Sequence, residues 1–184
     1  MRNQVRIIGG LWRRRLIHFP AVLDLRPTPD RARETLFNWL GQSLDGKRCL
    51  DLFAGSGALG FEAASRGAGE VVLVEQDPRA CHALEETARL LGAPHIEIRR
   101  ADALRFLAAD HRRYDVIFLD PPYRLGLLPA LLAHLPAHVT SGGYVYLEAE
   151  RLPEIPSHFK TLRNARAGQV RYLLLQSAPD ESAL

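Results

Sequence analysis

Sulfur-bearing residues are scarce, with two cysteines and one methionine among 184 residues. Cys49 lies in an apolar stretch and Cys81 in a helical pattern, so neither a disulfide framework nor a cysteine-based metal site has the residues it needs. The seven histidines are scattered from His18 to His158 without a recognisable ligand spacing, and no metal is expected. Long apolar runs are absent too. Hydrophobic residues make up 47% of the chain, yet no stretch approaches the roughly 18 apolar residues of a membrane span. Arginine and glycine break the N-terminus before a signal core could form, so a cytoplasmic protein without membrane contact is expected. Repeats and low-complexity tracts are also missing. The length allows one principal core with a small appendage.

Charge is present but unevenly placed. The net charge is +3, and residues 1–40 hold eight arginines against Asp24, Asp30 and Glu34. The remainder is nearly neutral, so the basic front points to a polyanionic partner rather than to a generally basic protein. Gln4 to Ile8 and Arg15 to Phe19 have strand character and flank Gly9, Gly10 and the Trp12-Arg13-Arg14 cluster, which predicts a small hairpin. Arg13, Arg14 and Arg15 are candidate phosphate ligands, and Trp12 either anchors the appendage or stacks on a base. From Leu25 to Leu40 the two prolines lead into a helix, with Thr28 or Asp30 as its cap and Ala32, Leu36, Phe37 and Leu40 as its apolar face. Arg26, Arg31 and Arg33 are expected to face a nucleic-acid phosphate, to help organise the cofactor entrance, or to form surface ion pairs with Asp30 and Glu34. The appendage is taken as residues 1–24 and the main domain as residues 25–184.

The main domain is organised around DLFAGSGALGFEAAS, Asp51 to Ser65. A strand ends at Asp51, Gly55 and Gly57 let the backbone turn tightly, and a helix opens near Leu59 with Gly60 permitting close packing. A G-x-G-x-x-G pattern alone also fits a dinucleotide site. Asp51 narrows it, because a carboxylate at this strand end suits a cationic ammonium better than a pyrophosphate. Strands are predicted at Glu70 to Glu75, His95 to Arg99, Tyr114 to Leu119 and Tyr144 to Glu148, with helices at Pro78 to Leu91, Asp102 to Ala109 and Leu125 to Leu135. Phe159 to Leu162 and Gln169 to Gln176 complete the pattern around Gly168. The result is an α/β fold with a seven-stranded, mostly parallel sheet and a terminal antiparallel hairpin.

Two further motifs fall at strand ends. Glu75, followed by Gln76, closes an apolar VVLV run, where its two carboxylate oxygens can accept from a ribose diol or cap the surface. Asp102, followed by Ala103, can accept from an adenine amine or cap the next helix. Asp120-Pro121-Pro122-Tyr123 follows the VIFL strand. Its prolines stiffen the turn and remove two donors, leaving the Pro121 carbonyl and the Asp120 carboxylate as acceptors beside a flat ring. That set suits a planar exocyclic amine. Arg99, Arg100, Arg112, Arg113 and Arg124 are added as RNA-contact candidates at the same edge, whereas Tyr172 to Leu175 reads as buried sheet.

DLFAGSGALGFEAASRGA, VVLVEQD, VIFLDPPY and RPTPDRARETLFNWL together resemble the RsmD family of 16S ribosomal RNA guanine-N2 methyltransferases, within the class I S-adenosylmethionine-dependent enzymes. The resemblance spans about Val5 to Gln176 and departs from the family pattern at Leu11 to Arg15. It implies a Rossmann-like class I fold and S-adenosyl-L-methionine as cofactor. Asp51, Phe53, Ala54, Gly55, Ser56 and Gly57 would surround its methionine end, Glu75 and Gln76 its ribose, and Asp102 and Ala103 its adenine. Asp120 to Tyr123 would position guanine N2 for direct methyl transfer, and Arg13, Arg14, Arg15, Arg26, Arg31, Arg33 and Arg124 would meet RNA. The implied partner is 16S RNA in an assembled or partly assembled small ribosomal subunit, met by a monomer. The competing readings are a DNA adenine-N6 or cytosine-N4 amino-methyltransferase, for which target-recognition material is not evident, and a noncatalytic ribosome-assembly factor.

Overall fold

The computed structural model describes residues 3–21 and 29–179. Strands β1 (Gln4–Arg6) and β2 (Leu16–His18) pair as an antiparallel hairpin. Helix α1 (Asp30–Trp39) follows, and then an alternation of β3 (Arg48–Asp51), α2 (Ala58–Ser65), β4 (Glu70–Glu75), α3 (Pro78–Leu91), β5 (Ile96–Arg100), α4 (Ala103–Ala109) and β6 (Tyr114–Leu119). Helix α5 (Leu128–His134), β7 (Val139–Ala149), β8 (Phe159–Ala167) and β9 (Val170–Ser177) complete the chain. The main sheet has seven strands in the order β5-β4-β3-β6-β7-β9-β8. Strands β3 to β7 are parallel, and β9 runs against both β7 and β8. The predicted seven-stranded, mostly parallel sheet with its terminal hairpin is what forms.

Both faces of this sheet are covered, which explains why its central strands are nearly continuous apolar runs. Cys49, Val71, Leu73, Val116 and Phe118 share one core with Leu36 and Phe37 of α1, Phe61 of α2 and Leu84 of α3. Leu50, Val72, Ile117 and Leu147 face the other way, against Phe106 and Leu107 of α4 and Leu131 and Leu132 of α5. Each such fully buried Leu or Phe stabilises the fold by about 1.5–3 kcal/mol, so the two layers anchor the strand ends firmly.

Local differences from the sequence reading have physical causes. Gly142 and Gly143 do not precede the seventh strand but lie inside it, where the partners of Tyr114 and Val116 jump from Val139 to Tyr144 across a bulge. A Cβ on Gly143 would meet the Thr140 carbonyl oxygen at 2.9 Å. The eighth strand runs on through Ala167, closing tightly at Gly168 with φ +61°. Helix α1 starts at Asp30 with Pro29 as its cap residue and no side-chain cap; Asp30 instead pairs with Arg33. Thr28, the other candidate cap, lies outside the described residues.

The N-terminal hairpin is held by buried polar groups rather than by strand pairing to the main sheet. Glu62 on α2 is fully buried and accepts from Ile8 N at 2.9 Å, Gly9 N at 2.8 Å and Arg66 Nε at 2.9 Å. Ser65 Oγ donates to the Gly9 carbonyl at 2.6 Å, and the Ser65 carbonyl accepts from Leu11 N. Gly10, at φ +74°, is required here, because a Cβ would lie 1.8 Å from the Ser65 oxygen.

Candidate active site

Strand β3 is the point where the chain changes direction across the sheet: β4 and β5 build outward on one side, and the chain returns to β6 on the other. Open α/β sheets bind ligands at the carboxyl ends of strands flanking such a point. Asp51 pairs in register with Leu73 of β4 and Phe118 of β6. Glu75 and Asp120 each stand two residues beyond those partners, so the pairing brings three carboxylates from three motifs to one edge.

Asp51 is 2% exposed and accepts from Gly60 N at 3.2 Å. Burial first, and then the negative charge of Asp120, pushes its carboxyl up to about 7, against the opposing pull of the Gly60 and Phe53 N–H groups. Among the described residues no cation pairs with it. The neighbouring turn is built for close approach. Gly57 caps α2 at φ +81°, and a Cβ there would come within 2.5 Å of Phe61. A Cβ on Gly60 would sit 2.0 Å from Leu73 Cδ2, so the glycine is what lets α2 lie against β4. Ala54 and Ser56 are buried, and Phe53 is half-buried beside them.

Glu75 departs from the expected use of both oxygens on a ribose. Its Oε1 accepts from Gln76 N at 2.8 Å and Asp77 N at 2.9 Å, and its Oε2 accepts from Gly55 N at 2.9 Å. With about four acceptor positions on a carboxylate, three are taken by backbone, and the one left is on the Oε2 side. Glu75 therefore also shapes the glycine turn. Asp102 caps α4 by accepting from Arg105 N at 3.1 Å through Oδ1, leaving Oδ2 uncommitted, and Ala103 is buried behind it. The capping alternative for Asp102 is thus realised without excluding a ligand.

The Asp120 turn leaves the end of β6 with Asp120 half-buried and Pro121 buried, while Pro122, Tyr123 and Arg124 are exposed. The Pro122 carbonyl accepts from Leu125 N at 3.1 Å, whereas the Pro121 carbonyl receives no hydrogen bond among the described residues. Tyr123 begins a single 3-10 turn, Tyr123–Leu125, and its hydroxyl is pushed well above the usual tyrosine range by burial and by the Asp120 and Glu148 charges. Glu148, which the sequence reading passed over, is buried at the end of β7 and accepts from Tyr146 Oη at 3.0 Å. Its signal was a carboxylate inside the apolar YVYLEA strand.

The arginines divide sharply. Arg13, Arg14, Arg15, Arg31 and Arg124 are exposed, and Arg26 lies outside the described residues. Arg33 is withdrawn from the RNA-facing set: it is fully buried and donates to the Arg6 carbonyl at 2.9 Å and to Glu62 at 3.5 Å. Arg112 is withdrawn as well, because it sits before β6, at the opposite edge, and is taken up by Glu70, Glu97 and Asp110. Arg113 shares that edge and donates to the Val139 carbonyl. Trp12 packs, with 8% exposure, its ring stacked on His95 at 6.1 Å.

Comparison with known proteins decides the family. Residues 5–176 match the family described as conserved hypothetical protein 95. Ribosomal RNA small subunit methyltransferase D of Escherichia coli K12 is 41% identical over 179 residues, covering 95% of this chain and 90% of that protein. The chain belongs to the RsmD family. The Haemophilus influenzae RsmD is 36% identical over 184 residues, covering 96% of this chain and 95% of that protein. A methyltransferase structure from Escherichia coli superposes with a TM-score of 0.89 at 40% identity, covering 97% of this chain and all of the other. The Thermus thermophilus 16S rRNA N2 G1207 methyltransferase, solved with AdoMet and guanosine, has a TM-score of 0.70 at 24% identity, over 96% of this chain and 50% of that one, a likeness of fold. RsmD proteins are Rossmann-like, S-adenosylmethionine-dependent methyltransferases, and this chain is one of them. The site fits that cofactor: a buried carboxylate facing other carboxylates has no cation paired with it among the described residues, and an ammonium would supply one.

Proposed function

We propose that this chain, acting as a monomer, methylates the exocyclic N2 amine of a guanine in 16S ribosomal RNA within an assembled or partly assembled small ribosomal subunit. The observation that carries the reading is the strand register that sets the buried Asp51 beside the Asp120-Pro121-Pro122-Tyr123 turn. The small-subunit RNA methyltransferases at 41% and 36% identity support the RNA substrate. When bound, S-adenosylmethionine supplies an electrophilic methyl group. Asp51 and the Phe53 to Gly57 backbone would hold its methionine end, Glu75 Oε2 with Gln76 the ribose, and Asp102 with Ala103 the adenine.

The amine of guanine is a weak nucleophile because its lone pair is delocalised into the ring. Asp120 and the Pro121 carbonyl accept its two N–H groups and so orient the lone pair away from the turn, while Tyr123 covers the base. Pro122 fixes the spacing of these three groups. Positioning carries most of the rate, and the displaced proton passes to Asp120 or water. The base must leave its stack to reach this edge. Purified protein is expected to move a labelled methyl group from S-adenosylmethionine into the 16S RNA of small-subunit particles. No incorporation at any stage of particle assembly would sink the assignment.

The raised carboxyl of Asp51 gives the cofactor step a pH dependence. In the free protein its pKa of about 7 lies above the ordinary 3.8, so its contribution to stability is full below the ordinary value and fades as pH rises through about 7. Cofactor binding runs the other way, because an ammonium favours the carboxylate. Affinity for S-adenosylmethionine should fall by up to roughly tenfold per pH unit below about 7, with proton release on binding. Isothermal titration between about pH 5.5 and 8.5 in buffers of different ionisation enthalpy reads both, and a flat profile rules Asp51 out as the ammonium partner.

The exposed Arg13, Arg14 and Arg15 supply the long-range attraction. Their joint replacement by glutamine should weaken RNA binding and lower the slope of log affinity against log salt by about 2–3, one counterion contribution per arginine. An unchanged slope in a salt titration removes the hairpin from the interface.

A further inference from the structure

A cleft opens between α1 and the outer β8–β9 hairpin of the sheet, reaching Tyr146 of β7. It has a volume of about 450 Å³ and is lined by Arg31, Thr35, Trp39, Tyr146, Arg166 and Tyr172, among others. Its accessible aromatic surface is the half-buried Trp39, while Tyr146 and Tyr172, 1% and 6% exposed, stack on each other at 6.4 Å with 16° between planes. Its rim is cationic, with Arg31 and Arg166 both exposed and no carboxylate among the lining residues. Thr35 is not an open donor, since its hydroxyl donates to the Arg31 carbonyl at 2.9 Å. The tyrosines also tie the cleft to the reaction site. Tyr146 pairs in register with Phe118, two residues before Asp120, and donates to Glu148 at 3.0 Å.

We propose that this cleft holds one unpaired RNA nucleotide next to the target guanine, its base against Trp39 and its phosphate between Arg31 and Arg166. The inference rests on the RNA-methylating reading and adds a subsite to it. The Trp39 ring takes any base through its π-face, while two exposed arginines with no acid among the lining residues select the anionic backbone. The volume falls in the range of a single-ligand pocket. The subsite would keep the displaced strand from re-stacking while its neighbour occupies the Asp120 turn.

Trp39 reports on the cleft directly, because the chain has only two tryptophans and Trp12 is buried elsewhere. In a Trp12→Phe protein, a single-stranded RNA tetranucleotide should quench the remaining emission saturably, and an otherwise identical strand with abasic positions should bind about tenfold or more weakly. Should Trp12→Phe not fold, Trp39→Phe in the native background must abolish the quench. Arg31→Ala with Arg166→Ala should weaken tetranucleotide binding about tenfold, with S-adenosylmethionine affinity unchanged. Fluorescence anisotropy of a labelled strand follows binding independently. Binding seen by anisotropy without any quench, or equal affinity for the abasic strand, overturns the cleft as a nucleotide site. The two readings separate cleanly: quenching without N2-methylguanine in the reaction product keeps the cleft and sinks the reaction, whereas methylation with an unaltered KM for RNA in the double arginine variant does the reverse.

Discussion

Asp120→Asn should lower the turnover of methyl transfer by about 100-fold or more while changing S-adenosylmethionine affinity at pH 8 by no more than about twofold. The asymmetry follows from where the carboxylate stands. Asp120 leaves the end of β6 in a turn that two prolines have stripped of N–H donors, so in the proposed reaction its carboxylate and the Pro121 carbonyl would be the acceptors for an incoming amine. Asparagine keeps the shape and one neutral acceptor oxygen, but it loses the negative charge that strengthens the hydrogen bond to the amine, and it cannot take up the proton. The cofactor's expected ligands lie on β3, β4 and the turn after β5, which the substitution leaves in place. One secondary effect is specific to this geometry. The Asp120 charge helps to raise the Asp51 carboxyl, so the pH at which cofactor affinity declines should move downward in the variant. Single-turnover rates together with calorimetry separate these quantities. Unchanged turnover with collapsed cofactor affinity would show that Asp120 belongs to the wrong half of the site.

Glu62→Ala should be the most destabilising single change on the hairpin side, by about 3–5 kcal/mol. The carboxylate is fully buried and holds four donors: the Ile8 and Gly9 amides, Arg66 Nε and Arg33 Nη1. Its loss leaves two backbone N–H groups unsatisfied and strips the buried Arg33 guanidinium of one of its two carboxylates, the other being the mostly exposed Asp30. For a domain of this size that corresponds to a fall in Tm of roughly 10 °C. Arg33→Met combined with Glu62→Gln should cost less than Glu62→Ala alone, because the fully buried Arg33 charge is then gone and the glutamine oxygen can still accept from the backbone amides, leaving only Arg66 without its carboxylate. Urea titration of the variants measures the difference. A loss below about 1 kcal/mol for Glu62→Ala would mean that water replaces the carboxylate and that the hairpin is held otherwise.

These two predictions also mark what the residues disclosed and what they concealed. Strands β4 and β6 and helix α3 matched their predicted bounds because their patterns are sharply punctuated, by Glu75 after VVLV, by Pro78 after the Asp77 cap and by Asp120-Pro121 after VIFL. The site edge was legible for the same reason, since each motif sits at a strand end. Pairing partners were not, because period-two patterns carry no information on neighbours. Only the register of Asp51 against Phe118 and Leu73 shows that the three carboxylates converge.

Arg33 was misjudged by residue type. It lies at three, four and seven residues before Leu36, Phe37 and Leu40, on the apolar stripe itself, and a charged residue on such a stripe calls for a buried partner. Glu62, in the equally apolar LGFEAA, was that partner in plain view. Glu75 and Asp102 were read by position and underread by hydrogen bonding, since backbone donors in the first residues after a strand compete with any ligand. The aromatic cleft was invisible for a different reason: Trp39, Tyr146 and Tyr172 come from three elements that meet only after the sheet has ordered β9 beside β7.

Presentation of a guanine amine to the methyl donor by the Asp120 turn is the chemistry proposed. Mass-spectrometric mapping of RNA from small-subunit particles, incubated with the protein and isotopically labelled S-adenosylmethionine, addresses it at the level of the atom. The predicted product is a single 16S position carrying label as N2-methylguanosine, formed far more slowly with Asp120→Asn. Label on an adenine N6 or a cytosine N4, or no labelled nucleoside at all, would contradict it.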